Sequence, residues 1–299
     1  MKRVLIVGAN GILGAGLVKY FDSSGVIVLR STRDSRPNAN DHFFLDLLEP
    51  DQNFLNKIKK HKPDCVIDCS GPKSITFCED FPRQAEKIIV GGSLFLSKLC
   101  NRLEIPLVSI STSLVFDGQK RETIRSQHHP ENFYAELKSQ AERIILDEPL
   151  KNSVIRFDKV LYPSLPIIVD WSNRFSQGLE IEAFSDRFIS PISLKIAVAA
   201  IAKVSCCQMA GVSQLSASDQ ISYLDLADRI PRLNNAGSRL IKPIKSSEKN
   251  LKPRLFTVLD SDRLISVDKQ FRFCSIDTLN SVFNEPAYRP QSSERTESG

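Results

Sequence analysis

The chain has 299 residues, 41% hydrophobic, 25% charged and 8% aromatic, with 13 Gly and 16 Pro. That mix excludes a disordered, collagen-like or low-complexity chain and allows one large globular domain or two of moderate size. The formal charge is +5, mild and scattered along the sequence, which argues against nucleic acid or a membrane surface as a partner.

The first apolar run, residues 4–7, is stopped by Gly8-Ala9-Asn10-Gly11, too soon for a secretory signal. No later run approaches the ~20 apolar residues of a membrane span, so the sequence predicts a soluble, cytoplasmic protein. Short apolar runs, several rich in β-branched residues, predict strands at 4–7, 26–29, 42–45, 65–69, 106–111 and 153–157. Helical periodicity predicts helices at 13–21, 54–60, 85–103 and 132–146. The alternation gives an α/β fold, a Rossmann-type doubly wound parallel sheet over residues 1–160. After Pro163 the rhythm is lost, and helical stretches at 168–177, 194–204, 223–230 and 276–282 alternate with Pro- and Ser-rich connections. They predict a smaller, mostly helical substrate-binding region over 161–285, a segment near 185–205 returning to the first domain, and a polar tail at 286–299. The cysteines Cys65, Cys69, Cys78, Cys100, Cys206, Cys207 and Cys274 are odd in number and form no C-x-x-C pair. Their mostly apolar neighbours predict small buried hydrophobes in a reducing compartment.

Residues 4–14, Val-Leu-Ile-Val-Gly-Ala-Asn-Gly-Ile-Leu-Gly, run from a strand through a glycine-punctuated turn into a helix. Gly8 makes the tight turn, Gly11 lets the backbone approach a pyrophosphate, and Gly14 allows close helix–strand packing. The spacing points to a dinucleotide held by this turn, Asn10, Ile12 and Leu13 included; a purely structural turn is the alternative. The second strand ends Leu29-Arg30-Ser31-Thr32-Arg33, with Asp34 the first acid. Arg30 and Arg33 favour the 2′-phosphate of NADP(H), with NADH still possible, against the alternative of a basic solvated loop. Asp46, just after the third strand, is placed to meet the adenine amino group.

The fifth strand closes on Ile110-Ser111-Thr112-Ser113-Leu114-Val115-Phe116-Asp117-Gly118, and Pro130-Glu131-Asn132-Phe133-Tyr134-Ala135-Glu136-Leu137-Lys138 opens the next helix. Tyr134 and Lys138 lie four apart on one helical face. A phenol of ordinary pKa about 10 is a poor proton partner at neutral pH, and a neighbouring ammonium is expected to move it toward the working range. The Thr112 hydroxyl can hold a substrate oxygen while the proton moves.

Together these segments resemble the extended short-chain dehydrogenase/reductase family and, within it, the dTDP-4-dehydrorhamnose reductase subfamily. Ser111-Thr112-x-x-Val115-Phe116-Asp117-Gly118 is similar to its strand-end motif. Pro130-x-Asn132-x-Tyr134-x-x-x-Lys138-x-x-x-Glu142 is similar to its catalytic helix, with Ala135 for the usual Gly. Asp186-Arg187-Phe188-Ile189-Ser190-Pro191 and Val258-Leu259-Asp260 resemble later segments more loosely. The resemblance implies Tyr134 as catalytic acid, Lys138 as its partner and ribose anchor, and Thr112 as the carbonyl-positioning hydroxyl. It implies NADPH as hydride source, a 4-keto-deoxysugar nucleotide as substrate, and a homodimer. Thr112, Ser113, Tyr134 and Trp171 are its expected substrate contacts; Leu47, Cys69, Ser70 and Gly71 join the cofactor set. Asp68-Cys69-Ser70-Gly71-Pro72 departs from the family's Asn-Ala-Ala-Ala, Ile89 replaces a frequent asparagine, and Lys195 stands for an aspartate.

Trp171 either stacks on a nucleobase or belongs to the core, the commoner case. His128 and His129 read as solvated loop histidines, and no cluster suggests a metal. Arg156 either meets a phosphate or pairs on the surface. Related activities are a nucleotide-sugar epimerase, which would usually keep NAD, and a dehydratase, which Ser113-Leu114 after the threonine argues against. A non-catalytic NADP-binding subunit, like that of methionine adenosyltransferase, is the reading from another class.

Overall fold

A computed structural model of the chain describes residues 1–33, 41–50, 52–72, 74–150, 152–233 and 240–284. Asp34 and the tail at 286–299 lie outside the described residues.

Seven parallel strands make one sheet: β1 (Arg3–Val7), β2 (Ile27–Thr32), β3 (His42–Phe44), β4 (Cys65–Asp68), β5 (Leu107–Thr112), β6 (Ser153–Phe157) and a seventh, Gly211–Leu215. Their order across the sheet is seventh-β6-β5-β4-β1-β2-β3. Both faces are covered, so the strands carry apolar residues on both pleats. Val4 and Ile6 point to one face with Val28, Ile67 and Ile155, while Leu5 and Val7 point to the other with Leu29, Val66 and Val154. The first face is closed by α1 (Ile12–Asp22) through Leu17 and Phe21. The second is closed by α2 (Gln52–His61) through Phe54 and Ile58. Next come α3 (Ile75–Asp80) and α4 (Pro82–Glu86), then α5 (Gly92–Leu103) and α6 (Phe133–Leu146), which also cover the second face.

Beyond β6, α7 (Pro166–Ser176) leaves the sheet, whereas α8 (Leu194–Cys206) returns to pack on α1 through Val198 and its neighbours. The remaining helices are α9 (Tyr223–Leu233), α10 (Asp262–Val267) and α11 (Ser275–Asn284). A separate apolar cluster unites α7, α9 and α11 through Trp171, Phe175, Leu226, Ile230 and Leu279. Three two-stranded ladders accompany them among the described residues, including Ile181–Phe184 against Ile241–Ile244.

Three expectations change. The seventh strand is absent from the sequence-based list because its Ser213 and Gln214, both 0% exposed, break the apolar run that marks a buried strand. The helix expected over 85–103 is not one α-helix: α4 passes through a π-helical turn, Lys87–Gly91, before α5 begins. Of the cysteines, Cys65, Cys78 and Cys100 are buried as expected, but Cys206 and Cys207 are exposed at the end of α8.

Candidate active site

The strand order reverses beside β1, whose neighbours are β2 and β4, and the crevice beyond their carboxyl ends is where an open α/β sheet holds a ligand. Gly8 turns the chain there at φ +75°, and the N–H groups of Gly8 and Ala9 both donate to the Ser31 carbonyl at 3.0 Å. α1 starts from Gly11 with no side chain capping it, which leaves first-turn N–H groups for an anion. A Cβ on Gly14 would lie 2.2 Å from the Gly8 carbonyl oxygen, and one on Gly8 would lie 3.0 Å from the Cys69 backbone. The three glycines therefore shape a shallow backbone cradle, which fits a dinucleotide pyrophosphate.

The second-strand cations divide. Arg30 is ion-paired with Asp22 at 2.9 Å and with Asp41, so its charge is already met from within the chain. Arg33 stands exposed at the end of β2. Asp46 accepts the Leu48 N–H at 2.9 Å, closing a local turn, and Leu47 is buried against α5, where a Cβ on Gly92 would meet it at 2.9 Å. Asp68, at the end of β4, accepts the N–H of Ser70 at 2.9 Å and its hydroxyl at 2.5 Å. Burial holds its pKa up against those bonds and the nearby Lys138.

Asn132 caps α6 by accepting the Ala135 N–H at 2.9 Å, which orients the first turn that carries Tyr134. Lys138 reaches back to β5, where Nζ donates to the Ile110 carbonyl at 2.6 Å. Burial lowers its pKa, and Asp68 opposes that shift. Thr112 accepts the Leu114 N–H at 3.2 Å, leaving its own proton to donate.

The sequence leads one to expect that Lys138 lowers the Tyr134 pKa. The structure gives the opposite sign. Tyr134 packs in the apolar cluster of Cys78, Ala85, Ile89, Leu137 and Ala141, and desolvation pushes its phenol up to about 12, with Cys78 adding to the shift. Ile89, in the π-helical turn, supplies part of that apolar wall where an amide would have been polar.

Thr112, Ser113 and Tyr134 line a cavity of about 480 Å³ together with Pro72, Leu165, Phe188 and Tyr223. Four charged residues also line it: Asp158, Lys159, Arg187 and Arg254. Asp158 accepts the Ser113 hydroxyl at 2.5 Å and the Ser190 N–H at 2.7 Å. Arg254 donates to the Ser113 hydroxyl at 3.0 Å and to the Phe116 carbonyl at 3.2 Å, pinning the turn after β5 to the later half of the chain. None of the four was singled out from spacing. Asp158 and Lys159 follow β6 at the carboxyl edge of the sheet, and that position was the available signal.

Three expectations are corrected. Trp171 does not line the cavity; it is 6% exposed in the core of α7, α9 and α11, where a large ring gains most from burial. Arg156 neither meets the cavity nor lies on the surface: it is buried and ion-paired with Glu142 at 2.7 Å. His128 is not solvated, because its ring packs edge-on against Phe116 and bonds to Arg156. Among the described residues no group of His, Cys, Asp and Glu could hold a metal ion.

Among curated proteins, methionine adenosyltransferase 2 subunit beta of Rattus norvegicus is 24% identical over 263 residues, 82% of this chain and 76% of its own length. The dTDP-4-dehydrorhamnose reductase of Aggregatibacter actinomycetemcomitans is 28% identical over 158 residues, 52% of this chain and 51% of its own. Among solved structures, the dTDP-4-dehydrorhamnose reductase of Bacillus anthracis in complex with NADP superposes with a TM-score of 0.80 at 18% identity, covering 95% of this chain and 99% of that one. The family described as the RmlD substrate binding domain matches residues 1–255, and the chain belongs to that family.

Proposed function

We propose that the protein is an NADPH-dependent reductase of a 4-keto-deoxysugar nucleotide. The observation that carries this is that Thr112 and Tyr134 line one cavity, with Lys138 bonded to Ile110 of β5 and the glycine cradle after β1, across β4. NADPH supplies the hydride when bound. The residues 8–14, with Arg33 at the edge of β2, would hold the cofactor, with Cys69, Ser70 and Gly71 beside it. The Thr112 hydroxyl donates a hydrogen bond to the substrate carbonyl oxygen, keeping its own proton, and fixes its position. Tyr134 is protonated at neutral pH and gives the proton that completes the alcohol. Lys138 is tied to Ile110, and its ammonium would supply the anchor for the cofactor ribose.

A homodimer and a cytoplasmic setting belong to the same reading. Family habit supports the first, and seven free cysteines support a reducing compartment. Among the described residues no helix is long and apolar enough to cross a membrane.

The methionine adenosyltransferase subunit relatives, which align over more of the chain than the reductase does, favour a second reading as an NADP-binding regulatory subunit. Purified protein given NADPH and a panel of 4-keto nucleotide sugars separates the two. Loss of NADPH absorbance with one of them is the expected result; binding of NADPH without oxidation across the panel favours the subunit.

A further inference from the structure

Arg156 on β6 is 2% exposed, yet each of its guanidinium nitrogens has a partner. Nε lies 3.1 Å from both Glu142 oxygens, and Nη2 donates to Glu142 Oε2 and to His128 Nε2, each at 2.7 Å. Nη1 donates to Gln214 at 2.9 Å, and the Phe116 ring lies 5.1 Å from the guanidinium. The Ser111 hydroxyl also donates to Glu142. Because Arg156 can only donate, His128 Nε2 accepts; the ring is neutral, and its Nδ1–H donates to Ser139 Oγ at 2.7 Å.

These contacts join β5, β6, the seventh strand, α6 and the loop that leads into α6. Glu142 follows Lys138 by one helical turn and Tyr134 by two, on the same face. Ser111 immediately precedes Thr112. The catalytic groups and the network therefore hang from the same two elements.

We propose that Arg156, Glu142 and neutral His128 form a positioning network that holds α6 against β5 and β6, and that protonation of His128 loosens it, making the alignment of Tyr134 with Thr112 depend on pH. Its catalytic consequence rests on the reductase reading; its structural one does not. Burial lowers the His128 pKa below 6.5; Glu142 opposes this, while Arg156, Arg143 and His129 add to it. A protonated Nε2–H would face the Arg156 donor at 2.7 Å. The nearest carboxylate oxygen, Glu142 Oε2 at 3.5 Å, is already filled by Arg156. Two donors would then compete for one carboxylate.

The full chain has four histidines, His42, His61, His128 and His129, few enough to follow by ring-proton NMR. The signal missing from His128→Gln identifies His128. Its midpoint is expected below 6.5, with the methyl signals of Ala135, Leu137 and Ala141 on α6 moving at the same midpoint. Glutamine keeps an acceptor for Arg156 without a titrating proton, so in H128Q these methyls stay still over that range. With NADPH and a 4-keto nucleotide sugar, kcat of the unaltered chain falls about tenfold per pH unit below the midpoint at nearly constant KM. That acid limb disappears in H128Q. Methyls that ignore the His128 titration, or an acid limb that survives in H128Q, overturn the proposal. If H128Q fails to fold, co-titration in the unaltered chain, with the midpoint below 6.5, decides alone. A chain that turns over no 4-keto nucleotide sugar sinks the reductase reading, and the methyl titration still tests the network.

Discussion

A phenol serves as an acid only while it keeps its proton, and apolar packing around Tyr134 favours that state. With its pKa pushed up to about 12, the neutral form dominates throughout the physiological range. Ground-state loading is therefore assured, and the cost falls on the reverse direction, which needs the phenolate as base. Reduction should be flat with pH on the alkaline side, whereas oxidation of the alcohol product should rise steadily as pH increases. Initial rates in both directions check this; an oxidation rate that levels off near neutrality would mean that Lys138 outweighs burial once cofactor is bound. Tyr134→Phe removes the proton but little volume. It should lower kcat by ~10²–10⁴-fold while affecting NADPH binding far less. An unchanged rate would assign the proton to another group.

At the scale of elements, the β1–α1 turn is fixed by space rather than by side-chain bonds. In Gly14→Ala the new Cβ meets the Gly8 carbonyl oxygen at 2.2 Å and the Ala9 Cα at 2.9 Å, both backbone atoms that cannot swing away. The turn must open, at a cost of about 1–3 kcal/mol, and NADPH binding should be lost. Gly91→Ala has the opposite sign: φ is −60°, ψ is −44°, and nothing lies within 4 Å of the added Cβ. It should raise stability by about 0.5–1 kcal/mol, since alanine loses less backbone freedom on folding. Urea melts and NADPH titrations of the two variants check both signs. The glycine turn was legible in the sequence because backbone approach demands glycine at fixed spacing, and Tyr134 and Lys138 because a helix places them on one face. The seventh strand was not, since Gln214 is polar and becomes buriable only through Arg156, 58 residues earlier. The Asp158–Arg254 contact and the His128–Arg156 bond join distant segments in the same way. Periodicity registers local order; it carries no trace of which polar group will find a partner across the fold.

Over the whole molecule, the decisive feature is that the chain leaves the sheet after β6 and then comes back. α8 covers the face that α1 covers, and Gly211–Leu215 adds the outer strand beside β6. Val198, Ile201, Val204 and Leu215 are each at most 5% exposed in that shared core. Burying four such side chains is worth about 1.5–3 kcal/mol each, or roughly 6–12 in all, as large as the total stability of about 5–15 kcal/mol expected of a folded protein. A fragment ending at residue 160 would keep six strands and the entire glycine turn, but it lacks the segment near 185–205 that the sequence already leads one to expect back in the cofactor domain. Physically it would bare the part of that face which α8 covers beside α1 and leave β6 as an edge. We expect that fragment to bind a hydrophobic dye, to melt without a cooperative transition and to bind no NADPH. A fragment extended to residue 217 restores α8 and the seventh strand and should regain part of the transition. A sharp melt from the shorter fragment would show that the returning segments decorate the sheet rather than complete it.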